Sequence, residues 1–536
     1  MFTDSLQPKF VLSVLLALFA LTALRLISGF FAPFSLQVDE AQYAGWAHDL
    51  AAGYYSKPPF VAWALGFAQG TCDIFQIDNI EGCARMLQAP AFLLTGLLVG
   101  ASAGQLFDDQ KIALFSTVLF LILPLTSFYA LVATTDAWLL LWWSLALFTF
   151  IVAQKNPSSW LAWLVCGLAV GMGMLSKYSM ALFAVSALLC MWRQNQLFEN
   201  KTLFQPKPTL LKPLLAAVVA FLVFLPNLLW NMHNGFPTLQ HHVAISQVSE
   251  TASGAWTASH ALVELLTFFS AQFVVFGPWA FLSLLLISFT NISDQVMPQR
   301  DRKAMRFLLM FTWPMLGLIL LQATLSRAHS NWAVPAYVAG TILVSAFWVR
   351  QMQAYFYGGF LHKILFGKRA LQASVFFGLI LTALMIALPH WAQSTPELQI
   401  SHLNPLRKLQ GWKEVALWVK ARESKSHMRV IAEDRDLLAA LSVYAYPVAY
   451  PPLAWNPTRH QDNHYRWFYD LAKVKPAPQP MLMVLVAEQG ASPINTLQQR
   501  FEQVRPIADA SLSAIEIGGN HRHAFAFEVS GFKGYP

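Results

Sequence analysis

The sequence predicts a polytopic α-helical membrane protein of about eleven spans over residues 1–391, followed by a small C-terminal α/β domain over residues 392–536. Three observations carry this prediction. Only 12% of the 536 residues are charged, about half the share of a soluble globular protein. Eleven apolar runs fall between residues 10 and 391. The charges are also segregated: residues 392–536 hold 16 Lys and Arg with 13 Asp and Glu, whereas the first 391 hold 20 and 15. The same arithmetic excludes disordered, collagen-like and disulfide-scaffold chains.

The first run, 10–31, is long enough to cross a hydrocarbon core of about 30 Å as a helix. It is too long for a cleavable signal segment and has no small-residue cleavage site after it, so it reads as an uncleaved first span. Further runs follow at 84–104, 112–130, 137–153, 160–175, 179–191, 214–229, 265–289, 307–324, 334–349 and 371–391. With the N-terminus inside, fifteen loop cations, among them Lys111, Lys201, Lys207, Lys363 and Arg369, fall on the cytoplasmic side. The opposite side, up to residue 391, holds Lys57, Lys177 and Arg327. That imbalance is a positive-inside signal, and an odd number of spans places the tail outside, in the periplasm of a bacterial inner-membrane protein. It also accounts for most of the basic excess in the membrane part, so the net charge of +8 does not imply a nucleic-acid partner.

In the tail, Gly411-Trp412-Lys413-Glu414 opens an amphipathic helix to residue 422. Residues 429–432 and 481–487 read as buried strands, and 494–504 as a helix before a final pair of strands. Cys166 and Cys190 lie in predicted spans and read as small core residues. Cys72 and Cys83 fall in the first external loop, where an oxidising compartment would permit a disulfide that spacing alone does not establish.

That loop, 32–83, holds the densest chemistry. Asp39 and Glu40 follow directly on the first span, and Gly53-Tyr54-Tyr55-Ser56-Lys57-Pro58-Pro59 comes next. Carboxylates beside low-dielectric surroundings need a partner or a task. The plainer reading makes Asp39 a helix N-cap and Glu40 a residue favoured by the helix dipole. Arg25, near the outer end of the first span, reads as half of an ion pair with an acidic neighbour and stays outside the site.

The whole pattern is more specific than its parts. Asp-Glu-x-x-Tyr after a first span, then Gly-Tyr-Tyr-Ser-Lys-Pro-Pro and Arg85, resembles the family 39 type of polyprenyl-phosphate-sugar glycosyltransferases. These membrane enzymes of the GT-C class include protein O-mannosyltransferases and lipid A aminoarabinose transferases. Ala133-Thr134-Thr135-Asp136, Leu175-Ser176-Lys177-Tyr178, Leu225-Pro226-Asn227, Arg327-Ala328-His329-Ser330-Asn331-Trp332 and Leu409-Gln410-Gly411-Trp412 extend the resemblance along the chain.

The resemblance implies inverting transfer of a sugar from a polyprenyl (undecaprenyl-type) phosphate to lipid A, lipopolysaccharide, another glycan or a protein hydroxyl on the periplasmic face. A lipid phosphate is already a good leaving group, so the reaction needs a carboxylate to take the acceptor proton and cations to hold the phosphate. Asp39 takes the place of the family's base, with Glu40 beside it. Asp136 matches a second acidic position, for which a helix N-cap is the plainer alternative. Lys57, Arg85, Lys177 and Arg327 are the phosphate-binding candidates, because outward cations are otherwise disfavoured. Tyr43, Tyr55, His329 and Asn331 are assigned to substrate contacts. The aminoarabinose transferases carry an acidic metal ligand where this chain has Ser56, so a divalent metal is not assigned. His241 and His242 are read as ordinary polar loop residues. A lipid-linked sugar flippase or transporter and a glycan polymerase or ligase are the competing classes. Against transport, the polar residues cluster at the outer boundary and not at mid-span.

Overall fold

The computed structural model describes residues 6–156, 158–197, 210–246, 257–289, 298–353, 367–395, 404, 406–426, 428–447, 451–474, 480–488, 494–518 and 522–535. Lys201, Lys207 and Lys363, three of the cations used to orient the chain, lie outside these residues. Seven described helices are long and apolar enough to cross a membrane: Pro8–Phe30, Ile80–Phe107, Thr135–Lys155, Leu211–His233, Ala258–Val275, Gln299–Leu325 and Lys368–Ser394. Shorter apolar helices occupy Gln110–Ile122, Trp160–Ser176, Tyr178–Arg193 and Pro278–Phe289. Several long helices turn large apolar side chains outward, as Leu12, Leu16, Phe19 and Ile27 do on the first. Such faces suit lipid, and the chain is a multi-pass membrane protein.

Two predicted spans are interrupted. Run 112–130 breaks at Leu123 into Gln110–Ile122 and Pro124–Tyr129, because Pro124 cannot donate into the preceding turn. Run 265–289 breaks at Gly277, whose φ of +89° suits only glycine, into Ala258–Val275 and Pro278–Phe289. The first break explains Arg25. Its guanidinium donates to the Leu121 carbonyl at 2.7 Å, in the last turn of the broken helix, and to the hydroxyls of Ser127 and Thr382. The acidic partner expected from the sequence is replaced by a helix-end carbonyl that has lost its intrahelical donor, and by two hydroxyls.

The described structure separates into two compact units. The first comprises Met1–Gly29, Met86–His233 and Val243–Met385 and is a helical bundle. Its core is aromatic: Trp143, Phe150, Phe183, Phe307 and Phe311 meet edge to face or tilted, with Phe150 and Phe307 stacked.

The second unit joins Phe30–Arg85, Asn234–His242 and Ile386–Pro536. Its sheet contains β1 (Arg429–Ala432), β2 (Leu453–Ala454), β3 (Met481–Glu488), β4 (Phe501–Ile507), β5 (Glu516–Ile517) and β6 (Arg522–Phe532). The order is β2-β1-β3-β6-β4, with β5 against β6. β1 runs parallel to β2 and β3, and β6 is antiparallel to β3 and β4. Ile431, Trp455, Met483, Phe501, Phe527 and Val529 form its core. The helix expected over 494–504 stops at Arg500, and Phe501–Ile507 is strand. Pairing with β6 overrides the helical pattern there, since Phe501, Val504 and Ile507 gain a sheet partner and Phe501 and Val504 also gain core contacts.

Helix Val38–Trp46 packs against helix Arg435–Tyr444 within this unit. Gly45 makes the approach feasible: a Cβ there would lie 2.3 Å from Ser442 Oγ. Cys72 and Cys83 are joined by a disulfide that ties helix Phe60–Ile74 to helix Ile80–Arg85. Replacing Cys72 with Ser should cost about 2–4 kcal/mol of stability. Thermal unfolding in detergent, with and without reductant, checks this: reduced wild type and C72S should melt together, below oxidised wild type.

Candidate active site

Each unit brings together some of the charged residues singled out from the sequence. In the second, helix Val38–Trp46 starts after Gln37, so Asp39 is in the first turn and is not the cap. Glu40 reaches back to accept from the Gln37 backbone N–H at 3.0 Å. Its two oxygens also take a forked pair of bonds from Arg85, Nε to Oε1 and Nη2 to Oε2, both at 2.9 Å. Glu40 and Arg85 are each 1% exposed. Arg85 spends its remaining donors on the carbonyls of Phe34 and Ser35 and lies 4.3 Å from the Phe34 ring. The sequence reading placed Arg85 among phosphate ligands and Glu40 beside the base. The structure brings them to each other, and backbone groups take up further bonds on each.

Asp39 is different. Successive side chains on a helix point about 100° apart, so burying Glu40 turns its neighbour elsewhere. The Asp39 side chain is 57% exposed, and Arg435 donates to its Oδ1 at 2.5 Å. Arg435 Nε also donates to Gln42 Oε1 at 3.0 Å, and Gln42 Nε2 to Ser56 Oγ at 3.4 Å. Partial burial pushes the Asp39 carboxyl up, but Arg435 and then Lys57 outweigh it and hold it below the usual carboxylate range. Burial, with Lys57, His242 and Arg435 adding repulsion, pushes the His241 imidazole down to about 3, so it is neutral at pH 7. His241 packs against the Tyr55 ring, centroids 5.0 Å apart. The Tyr55 hydroxyl donates to the Gln461 carbonyl, and the buried Tyr43 ring packs on Trp46.

In the first unit, Thr134 caps helix Thr135–Lys155 by accepting from the Asp136 N–H, which frees the Asp136 carboxylate from a capping role. That carboxylate is buried and accepts from Lys177 Nζ at 2.6 Å and from Asn331 Nδ2 at 2.9 Å. Behind Lys177, the Tyr178 hydroxyl donates to Asn227 Oδ1 and accepts from Asn231 Nδ2. Arg327 and His329 are exposed, and His329 stacks edge-on to Trp332.

Among the described residues, no three His, Cys, Asp or Glu side chains converge as a metal-ligand set. With Ser56 where a carboxylate would be required, the residues present do not fit a resident divalent metal. The sequence reading missed Arg435 and Gln42. Gln42 had a local signal, being three residues after Asp39 on one helix face. Arg435, 396 positions away, had none.

A family model for dolichyl-phosphate-mannose-protein mannosyltransferases matches residues 56–230. A lipid A galacturonosyltransferase, RgtD, from Rhizobium johnstonii is 33% identical over 309 residues, which is 57% of this chain and 59% of that protein. An undecaprenyl phosphate-α-4-amino-4-deoxy-L-arabinose arabinosyl transferase from Pseudomonas savastanoi pv. phaseolicola is 30% identical over 183 residues, 33% of this chain and 32% of that protein. The chain spans about half to three fifths of the length of the first curated relatives it matches. The structure of ArnT from Cupriavidus metallidurans bound to undecaprenyl phosphate superposes with a TM-score of 0.60 at 16% identity, covering 96% of this chain and 97% of that one. The chain has the GT-C membrane fold. Both the expected class and the resemblance read from the motifs hold, and the GT-C fold accounts for a helical bundle combined with a small sheet.

Removing one member of a buried ion pair strands the other, at a cost of about 3–5 kcal/mol. Arg85→Ala should therefore lower the unfolding midpoint in detergent far more than Arg327→Ala, which removes an exposed side chain. Equal, small shifts would show that Arg85 is not held as described.

Proposed function

We propose that this GT-C protein transfers a sugar, with inversion, from a polyprenyl phosphate to a saccharide hydroxyl of lipid A or lipopolysaccharide, with Asp39 as the base. The observation that carries the reading is the contrast between adjacent carboxylates: Glu40 is buried and fully bonded, while Asp39 is exposed, ionised and held by Arg435, which Gln42 braces in turn. The acceptor oxygen attacks the anomeric carbon as its bond to the phosphate oxygen breaks. The bonding pair leaves on the polyprenyl phosphate, and the acceptor proton passes to Asp39 and then to water. Lys57, in the turn closed by the Tyr54 N–H donating to the Lys57 carbonyl, supplies positive charge for the departing phosphate. Glu40 and Arg85 position the loop and touch no substrate.

A uronic acid is the favoured sugar. The relative with the greatest identity reported above is a galacturonosyltransferase. Ser56 also offers a hydroxyl, not the negative charge that would suit an amino sugar. In the proposed orientation the N-terminus is cytoplasmic and the tail lies in the periplasm, as the loop cations indicate.

Asp39→Asn should reduce kcat by about 10²–10⁴ with the fold intact. The assay is release of polyprenyl phosphate from undecaprenyl-phosphate galacturonate in the presence of lipid A, with product identified by mass spectrometry. Near-normal turnover would overturn the assignment. The pH profile gives a second check. A carboxylate with a depressed pKa stays ionised until pH falls through that lowered value, so the acid limb of kcat/KM should lie below about 3.9, the ordinary Asp value. Arg435→Gln removes the largest opposing charge and should move that limb upward.

A further inference from the structure

The second unit contains a cavity of about 510 Å³ bordered by Glu433, Asp434, Arg435, Asp462, Asn463 and Arg466. We propose that this cavity binds the hydroxyl-rich saccharide part of the acceptor and delivers one of its hydroxyls toward Asp39. The inference deepens the transferase reading and rests on it in one respect, that an acceptor exists.

Topology points to this place independently of charge. β1 is followed by helix Arg435–Tyr444 and by β2 on one side, and the chain then crosses to β3 on the other, giving the local order β2-β1-β3. The carboxyl ends of the parallel strands β1 and β3 therefore lie side by side at a point where the strand order reverses, and the cavity is a crevice beside them. Ligands of open α/β sheets bind in such crevices. Glu433 and Asp434 directly follow β1, and Val486, near the end of β3, completes the lining.

The lining also selects the ligand. Apart from Val486 it is polar, so it does not suit an acyl or polyprenyl chain. Three carboxylates against two guanidiniums give a formal charge of −1, which disfavours a free phosphate or a nucleic acid. Arg466 is already paired with Asp462 at 3.0 Å, and Asp434 caps the following helix by accepting from the Asp436 N–H. Burial raises the Glu433 carboxyl, and Arg466 only partly opposes this. Carboxylates, guanidiniums and an amide around an open space match the alternating donors and acceptors of a saccharide. The volume falls within the range of small-molecule sites, roughly 300–1,000 Å³. Arg435 provides the link, since it borders the cavity and donates to Asp39 and Gln42.

The test is binding without turnover. Deacylated lipopolysaccharide is titrated into the full-length protein in detergent and read by saturation-transfer NMR, for wild type, Glu433→Gln and Glu433→Gln/Asp462→Asn. Wild type should bind, and the double variant should bind at least about tenfold more weakly while its unfolding midpoint stays near that of wild type. Absence of binding by the wild type, or equal binding by all three folded proteins, overturns the proposal. Displacement of the saccharide by equimolar inorganic phosphate also overturns it, because the recognised group would then be phosphate. If the single variant binds more weakly and the double variant does not fold, the proposal stands on the single variant. A wild type that binds the saccharide yet transfers no sugar defeats the transferase reading and leaves this site in place.

Discussion

The forked pair between Glu40 and Arg85 is the interaction on which the second unit turns. Two opposite charges at 1% exposure can be tolerated only together, with their remaining donors and acceptors filled. The surroundings meet that condition: the Gln37 N–H, the Phe34 and Ser35 carbonyls and the Phe34 ring complete the set. One pair thus fixes the chain emerging from the first span, the start of helix Val38–Trp46 and the end of helix Ile80–Arg85. The Cys72–Cys83 disulfide restrains the same helix from its other side. With Glu40 committed inward, the helical rotation of one residue leaves Asp39 outward. Neighbouring carboxylates therefore acquire different tasks without any difference in residue chemistry.

The first unit solves the same problem differently. Asp136 is buried at a helix start, but its neutralising cation comes from the end of another helix and its second donor from the Asn331 segment. Charge in apolar surroundings is compensated there by elements distant in sequence, so the cluster forms only when the helices pack. Arg25 shows a third solution, in which a broken helix offers the Leu121 carbonyl and the Ser127 hydroxyl, and helix Lys368–Ser394 the Thr382 hydroxyl, in place of a carboxylate.

These differences explain what could be read from the sequence. Spans were legible because bilayer thickness imposes a length and an apolar composition on each helix. The two interruptions were not, since a Pro or Gly inside an apolar run signals a break only when packing does not bridge it. Strands β1 and β3 were legible as short apolar runs. Phe501–Ile507 was not, because its strand state depends on β6, some twenty residues further on. Scarcity of outward charge selected Asp39, Glu40, Lys57, Arg85, Asp136, Lys177 and Arg327, but scarcity cannot divide them into roles. The division depends on partners: Arg85 met Glu40, and Asp39 met Arg435, a residue with no sequence signal linking it to the loop.

An arginine on the proposed base at first looks like a defect, because it depresses basicity. The chemistry removes the objection. With a lipid phosphate as leaving group, bond breaking to the sugar runs ahead of bond making, and the acceptor hydroxyl becomes acidic only as it joins the cationic sugar carbon. A strong base is then unnecessary, and a base of high pKa would spend part of its time protonated. What the step requires is a carboxylate that is always ionised, fixed in direction and negative beside developing positive charge. Arg435, itself braced by Gln42, provides the first two conditions, and the exposure of Asp39 leaves an oxygen accessible for the third. The cost in basicity falls where the reaction is least sensitive to it, and the gain in orientation falls where positioning governs rate.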